Sequence, residues 1–213
     1  MTTAPAALAY EEQLRRNPRW ALQEGSMHFE KGSAVFQTLA RITRRLDDLG
    51  IPYAVAGAMA LFLHGYRRFT EDVDILVTRE ALQLIHEKLE GLGYVPPFRG
   101  SKQLRDAESG VRVEFLVTGG YPGDGKPKPV AFPDPTAVAV DIEGIKCVTL
   151  ERLVELKLAS GMAPHRLKDL GDVQELIRVL QLPLDFGDRL DPFVRDKFRE
   201  LWSAVDANPA EPE

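Results

Sequence analysis

Apolar positions along the chain change period several times, and each change marks a different kind of element. From Ser33 to Leu49 the residues Val35, Leu39, Ile42 and Leu46 recur at helical spacing, and Gly50-Ile51-Pro52 stops the helix. Tyr53 to Ala56 is a short apolar run that predicts a buried strand. Ala58 to His64 lies between Gly57 and Gly65 and predicts a short helix entered by a tight glycine turn. Asp72 to Val77 reads as the next strand. Arg79 to Leu92 reads as an amphipathic helix with Leu82, Ile85 and Leu89 on one face, closed by Gly91 and Gly93. Two strands, Gln103 to Ala107 and Val111 to Val117, flank a Glu-Ser-Gly turn and predict a hairpin.

Gly119 to Pro135 is rich in glycine and proline and reads as a surface loop, followed by a strand pair, Thr136 to Asp141 and Ile145 to Val148, around Glu143-Gly144. Beyond Thr149 the pattern is helical only, over Leu150 to Ser160, Arg166 to Leu180 and Pro192 to Val205. The first 32 residues have no long period, although Tyr10 to Leu22 suits a short helix or an arm. The predicted fold class is α+β: a small mixed or antiparallel sheet with flanking helices, followed by a helical C-terminal half. The expected division is a variable N-terminal arm (1–32), an α/β core (33–148), a helical subdomain (149–205) and a disordered tail (206–213).

Composition narrows the function classes. A chain of 213 residues with 44% hydrophobic content can bury a sizeable core. Its longest apolar stretch, Ile51 to Leu63, is too short and interrupted to span a bilayer, so a cytoplasmic protein without a membrane partner is expected. Cys147 is the only cysteine, which excludes an intrachain disulfide or a thiolate metal cluster and suits a small core residue. The net charge of −5 argues against a large duplex-binding surface.

The candidate chemistry sits between Gly57 and Ile75. Asp72 and Asp74, two apart on a strand, project from one face while Val73 and Ile75 project from the other. Two like charges on one face of an apolar strand need a cation or basic partners, and an edge strand salt-bridged to Arg67 and Arg68 is the structural alternative. Glu114 interrupts Val111 to Val117 in the same way. If the two strands are neighbours, three carboxylates converge, a donor set suited to Mg²⁺ or Mn²⁺ that takes its remaining ligands from water and substrate phosphates. The Gly57-Ala58 turn would offer backbone N–H groups to a triphosphate, with Arg68 or Arg67 adding charge. These parts suit nucleotidyl transfer by positioning and electrostatic stabilisation. The run from Gly120 to Lys126 imitates a P-loop, but Pro127 stands where Ser or Thr is needed and Pro129 forbids the helix.

The run Gly57-x-x-Ala60-Leu61, His64-Gly65, Arg68-x-Thr70-x-Asp72-x-Asp74 resembles the signature of the polymerase-beta-like nucleotidyltransferase superfamily, in particular its AbiEii-like toxin branch. Lys157-Leu158-Ala159, then Arg166-Leu167-Lys168-Asp169 and Asp172, are similar to that branch's helical elements, so the resemblance spans roughly residues 50–180. It implies Asp72, Asp74, Glu114 and Lys157 as catalytic residues, the three carboxylates as ligands for Mg²⁺ or Mn²⁺, and an NTP held by Gly57, Ala58, Arg68, Thr70 and Lys157. It further implies transfer to a tRNA or protein hydroxyl by a toxin with a cognate antitoxin. Adenylylation of a small molecule and a non-catalytic nucleotide-binding or partner-binding module are the alternatives. Two departures stand out: Gly57-Ala58 replaces the usual Gly-Ser or Gly-Gly, and glutamate replaces the commoner aspartate at position 114.

Overall fold

The computed structural model describes residues 9–208. Residues 1–8 of the expected arm and 209–213 of the expected tail lie outside the described residues.

Two helices open the described chain, α1 (Tyr10–Arg16) and α2 (Pro18–Phe29). They break at Asn17, whose side chain accepts from the Trp20 N–H while Pro18 occupies the first helical position. Tyr10 and His28 are fully buried, and the Tyr10 hydroxyl donates to Glu24 at 2.9 Å, so this segment is packed against the body of the protein. Helix α3 (Ala34–Asp48), capped by Ser33, buries Val35, Leu39, Ile42 and Leu46.

The remaining elements are β1 (Ala54–Ala56), α4 (Gly57–Leu63), β2 (Asp72–Val77), α5 (Arg79–Leu89), β3 (Tyr94–Val95), β4 (Gln103–Asp106) and β5 (Arg112–Val117), then α6 (Pro135–Val138), β6 (Ala139–Ile142), β7 (Ile145–Val148), α7 (Leu150–Gly161), α8 (Leu167–Leu180) and α9 (Pro192–Asp206). The strands form one mixed sheet in the order β3-β4-β5-β2-β1-β7-β6. Strands β2 and β5 pair in parallel, as do β1 and β7, and the other pairings are antiparallel. The fold is therefore α+β with a mixed sheet and a helical C-terminal half.

Strand pleating divides the core between two faces. Val55, Val73, Ile75, Val113 and Phe115 pack with α3 and α5 on one face. Ala54, Ala56 and Leu76 pack with α7, α8 and α9 on the other. Period two then places Asp72, Asp74 and Glu114 on the face that the helical half covers.

Two local expectations need correction, and one short strand was not expected. Thr136 to Val138 is a helical turn, because Asp134 caps it and Pro135 opens it, and the strand starts at Ala139. Helix α5 ends at Leu89, and Leu92 is exposed between Gly91 and Gly93, both at positive φ. Tyr94 and Val95 then form an edge strand too short to show a period. No helix among the described residues is long and apolar enough to cross a membrane.

Candidate active site

Strand β2 lies in the middle of the sheet, so the edge-strand alternative for its two aspartates does not apply. Its pairing with β5 sets Asp74 opposite Glu114 and Asp72 opposite Arg112. One carboxylate oxygen from each of Asp72, Asp74 and Glu114 lies within 4.8 Å of the other two. The neighbour of Asp74 on its other side is Ala56 of β1, and the chain turns there into α4 through Gly57. Gly57 has φ +59°, and a Cβ on it would stand 1.8 Å from Asp74 Oδ2. Only glycine leaves room for that carboxylate and adopts that backbone angle without strain.

The three acids are not held alike. Asp72 accepts from the Thr70 hydroxyl at 2.9 Å on Oδ1 and from Arg112 Nη2 on Oδ2. Among the described residues no donor is hydrogen-bonded to the carboxylates of Asp74 or Glu114. Burial, then the charges of Asp72 and Glu114, push the Asp74 carboxyl up to about 7, against the opposing pull of Lys157 and Arg112. A cluster of hard oxygen donors short of positive charge, beside a backbone turn that a side chain would block, fits a divalent cation.

Across the cleft the other predicted residues form a network of their own. Arg68 grips Asp172 with two parallel hydrogen bonds, Nε to Oδ1 at 2.8 Å and Nη2 to Oδ2 at 3.0 Å. Lys157 Nζ donates to the same Oδ2 at 2.6 Å and to Asp169 Oδ1 at 2.8 Å. Ser160 Oγ and Arg166 Nε close the network on Asp169 Oδ2 at 2.7 and 2.8 Å. Burial alone would raise the Asp169 carboxyl, but Lys157, Ser160 and Arg166 hold it below the usual range. Arg68 is thus committed to Asp172 and is no free charge beside Gly57, and Arg67 lies over the Phe62 ring. Lys157 is buried yet faces the same cleft as the carboxylates.

The cleft encloses about 730 Å³. Gly57, Ala58, Thr70 and the three carboxylates line one side, and Lys157, His165, Arg166 and Lys168 line the other. The loop from Gly119 to Gly125 borders it and touches α7, where a Cβ on Gly123 would stand 2.8 Å from the Ser160 carbonyl oxygen. Its P-loop imitation has no helix behind it, and the Lys126 side chain is 81% exposed. His64 is a packed residue whose Nε2 is hydrogen-bonded with the Val148 carbonyl at 2.8 Å.

Sequence reasoning missed two contributors. Arg112 carried a visible signal, standing two residues before Glu114 and hence on its face of the strand. His28 carried none. It is hydrogen-bonded with Ser33 Oγ and with the Arg68 carbonyl, both at 3.2 Å, inside a ring cluster of Phe29, Phe36, Phe62 and Phe69. The N-terminal helices therefore pin the segment that leads into β2.

No protein-family model matches the chain, and no curated protein sequence matches it. Its arrangement is similar to that of several solved nucleotidyltransferase structures. ANT(2″)-Ia in complex with adenylyl-2″-tobramycin is 14% identical, with 82% of this chain and 98% of that chain covered and a TM-score of 0.48. An antigenic nucleotidyltransferase-like protein from Paracoccidioides brasiliensis is 17% identical over 81% of this chain and 88% of that one, with a TM-score of 0.47. A structure named as a nucleotidyltransferase from H. pylori is 18% identical over 80% of this chain and 92% of that one, with a TM-score of 0.45. At TM-scores below 0.5 such likeness transfers no chemistry, and the side chains themselves must carry it.

Proposed function

We propose that the cleft binds a nucleoside triphosphate together with Mg²⁺ or Mn²⁺ and transfers its nucleotidyl group to a hydroxyl acceptor. The observation that carries this reading is the convergence of Asp72, Asp74 and Glu114 opposite Lys157 in one cleft. Asp72, Asp74 and Glu114 would hold the divalent cation, which when bound neutralises charge on the reacting phosphate.

The chain's own residues do the positioning. Thr70 and Arg112 aim Asp72, Gly57 leaves space for Asp74, and the parallel register brings Glu114 beside it. Lys157 is fixed by Asp169 and Asp172 before substrate arrives, so its charge stabilises phosphate without reorganisation at the moment of reaction, while Arg68 braces Asp172. The turn at Gly57 and Ala58 belongs to the same nucleotide-binding wall. The acceptor, by the motif's resemblance, is a tRNA or protein hydroxyl, and the biological role is that of a cytoplasmic toxin with a cognate antitoxin.

The test is incubation of the purified protein with each α-labelled NTP and Mg²⁺ or Mn²⁺, offering total tRNA, cell lysate protein or a set of aminoglycosides as acceptor. Transfer of label by the wild type and none by Asp74→Asn is expected. Metal-independent nucleotide binding that survives Asp74→Asn would reject the site, and label on an aminoglycoside alone would assign the acceptor to small molecules.

A further inference from the structure

Both carboxylate oxygens of Asp72 are already engaged, Oδ1 by the Thr70 hydroxyl and Oδ2 by the Arg112 guanidinium. The two partners respond differently to an arriving cation. A neutral hydroxyl can share an oxygen with a metal, whereas a guanidinium at the same carboxylate repels it.

Arg112 is also poorly tied down. Its position follows from register, since it stands directly opposite Asp72 on the adjacent parallel strand. A guanidinium has five donors, yet among the described residues only the Asp72 contact uses one of them. Its Nε is buried without a hydrogen-bond partner. The nearby Glu11 does not compete, because Arg105 grips both of its oxygens at 2.8 and 2.9 Å. A side chain with spare donors, 36% exposed and lining the cleft, has both freedom and reason to leave when the charge balance at Asp72 changes.

We propose, building on the nucleotidyl-transfer reading, that Arg112 is a resident counter-ion for the metal-free site. It neutralises Asp72 until a divalent cation takes that carboxylate, and it then turns its forked donors to a phosphate of the incoming nucleotide. Arg112 is thus a positioning residue in one state and a phosphate-binding residue in the other. Its removal has opposite effects on two affinities, which a merely structural role would not produce.

Calorimetry with bare Mn²⁺, and with Mn²⁺ plus an ATP analogue carrying a methylene between the α and β phosphates, separates the two roles. Arg112→Met is expected to tighten bare Mn²⁺ binding about tenfold and to weaken the Mn²⁺-dependent binding of the analogue about tenfold, as loss of one close charge contact does. Arg112→Lys, which keeps the charge, is expected to bind bare Mn²⁺ as the wild type does. Thermal melts establish that each variant folds, and if Arg112→Met does not, Arg112→Gln replaces it as the neutral form. Unchanged Mn²⁺ affinity in the neutral variant overturns the proposal, as does unchanged analogue affinity. Tightening by Arg112→Lys equal to that of the neutral variant also overturns it, since charge would then not be the cause. Asp74→Asn run in parallel keeps the readings apart: if it leaves Mn²⁺ binding intact, the carboxylate site itself is wrong. If it abolishes Mn²⁺ binding while the Arg112 variants change nothing, only the role of Arg112 fails.

Discussion

On the sheet side of the cleft only one of three carboxylates, Asp72, is paired with an arginine, whereas across it two carboxylates share Arg68, Lys157 and Arg166. In the sequence both clusters set acidic residues at short spacing near basic ones. Their chemistry differs. In the second, Asp169 and Asp172 have every oxygen paired, so the cluster is complete as it stands. In the first, Asp74 and Glu114 lack donors and Asp74 is driven toward its neutral form. A complete network serves as scaffold and preset charge, and an incomplete one is a binding site awaiting its partner.

The sharpest way to test this contrast is to delete one charge from each cluster. Asp74→Asn is expected to lower nucleotidyl transfer by a factor on the order of 10³ or more, since it removes a ligand on which the transition-state charge depends. The same variant, without metal, is expected to melt no lower than the wild type, because it relieves repulsion with Asp72 and Glu114. A marked loss of metal-free stability in the calorimeter would instead make Asp74 part of the scaffold.

Lys157→Met should behave in the opposite way. It leaves two buried aspartates short of a cation and is expected to cost about 3 kcal/mol of stability, read from urea midpoints with or without metal. A variant as stable as the wild type breaks the distinction between the two clusters.

Titration tests the contrast more gently. Asp74 has a raised folded pKa of about 7, against an ordinary value of 3.8, so between those values the folded state holds more protons than the unfolded one. Its contribution to metal-free stability therefore falls as pH rises through that window. The difference in melting temperature between wild type and Asp74→Asn should move against the wild type from pH 4 to pH 7, and saturating Mg²⁺ at pH 7.5 should reverse it. A pH-independent difference contradicts the assigned environment.

The smallest expected effect lies at the arm. Burial lowers the His28 pKa below its ordinary 6.5, although the Arg68 carbonyl and Glu24 oppose this. The unfolded chain then binds a proton that the folded one does not, and the stability contributed by His28 is lost as pH falls below 6.5. His28→Phe should flatten that part of the wild-type profile. If the two profiles stay parallel in chemical denaturation from pH 5 to pH 7.5, the arm does not hold the Arg68 segment in this way.

Much of this was legible from residue order. The helical period of Val35, Leu39, Ile42 and Leu46, the alternation about Glu114, and the Asp72-x-Asp74 spacing are local properties, and helix pitch and strand pleat translate them directly into faces. The Gly57 turn was legible as a turn, but the reason for its glycine, the Asp74 carboxylate pressed against it, was not. Likewise Arg68 and Lys157 were legible as cations bound for the cleft, while their shared hold on Asp172 was hidden. These facts depend on which strand lies beside which and on how the last helices close over the sheet. Pairing β2 with β5 joins positions forty residues apart, and the Arg68–Asp172 contact spans 104. Such contacts arise from burying two apolar sheet faces at once, a condition on the whole chain that no local period records. Residue order settles which side chains can share a face, and the packing of the whole chain settles which charges meet there and which of them remain unpaired.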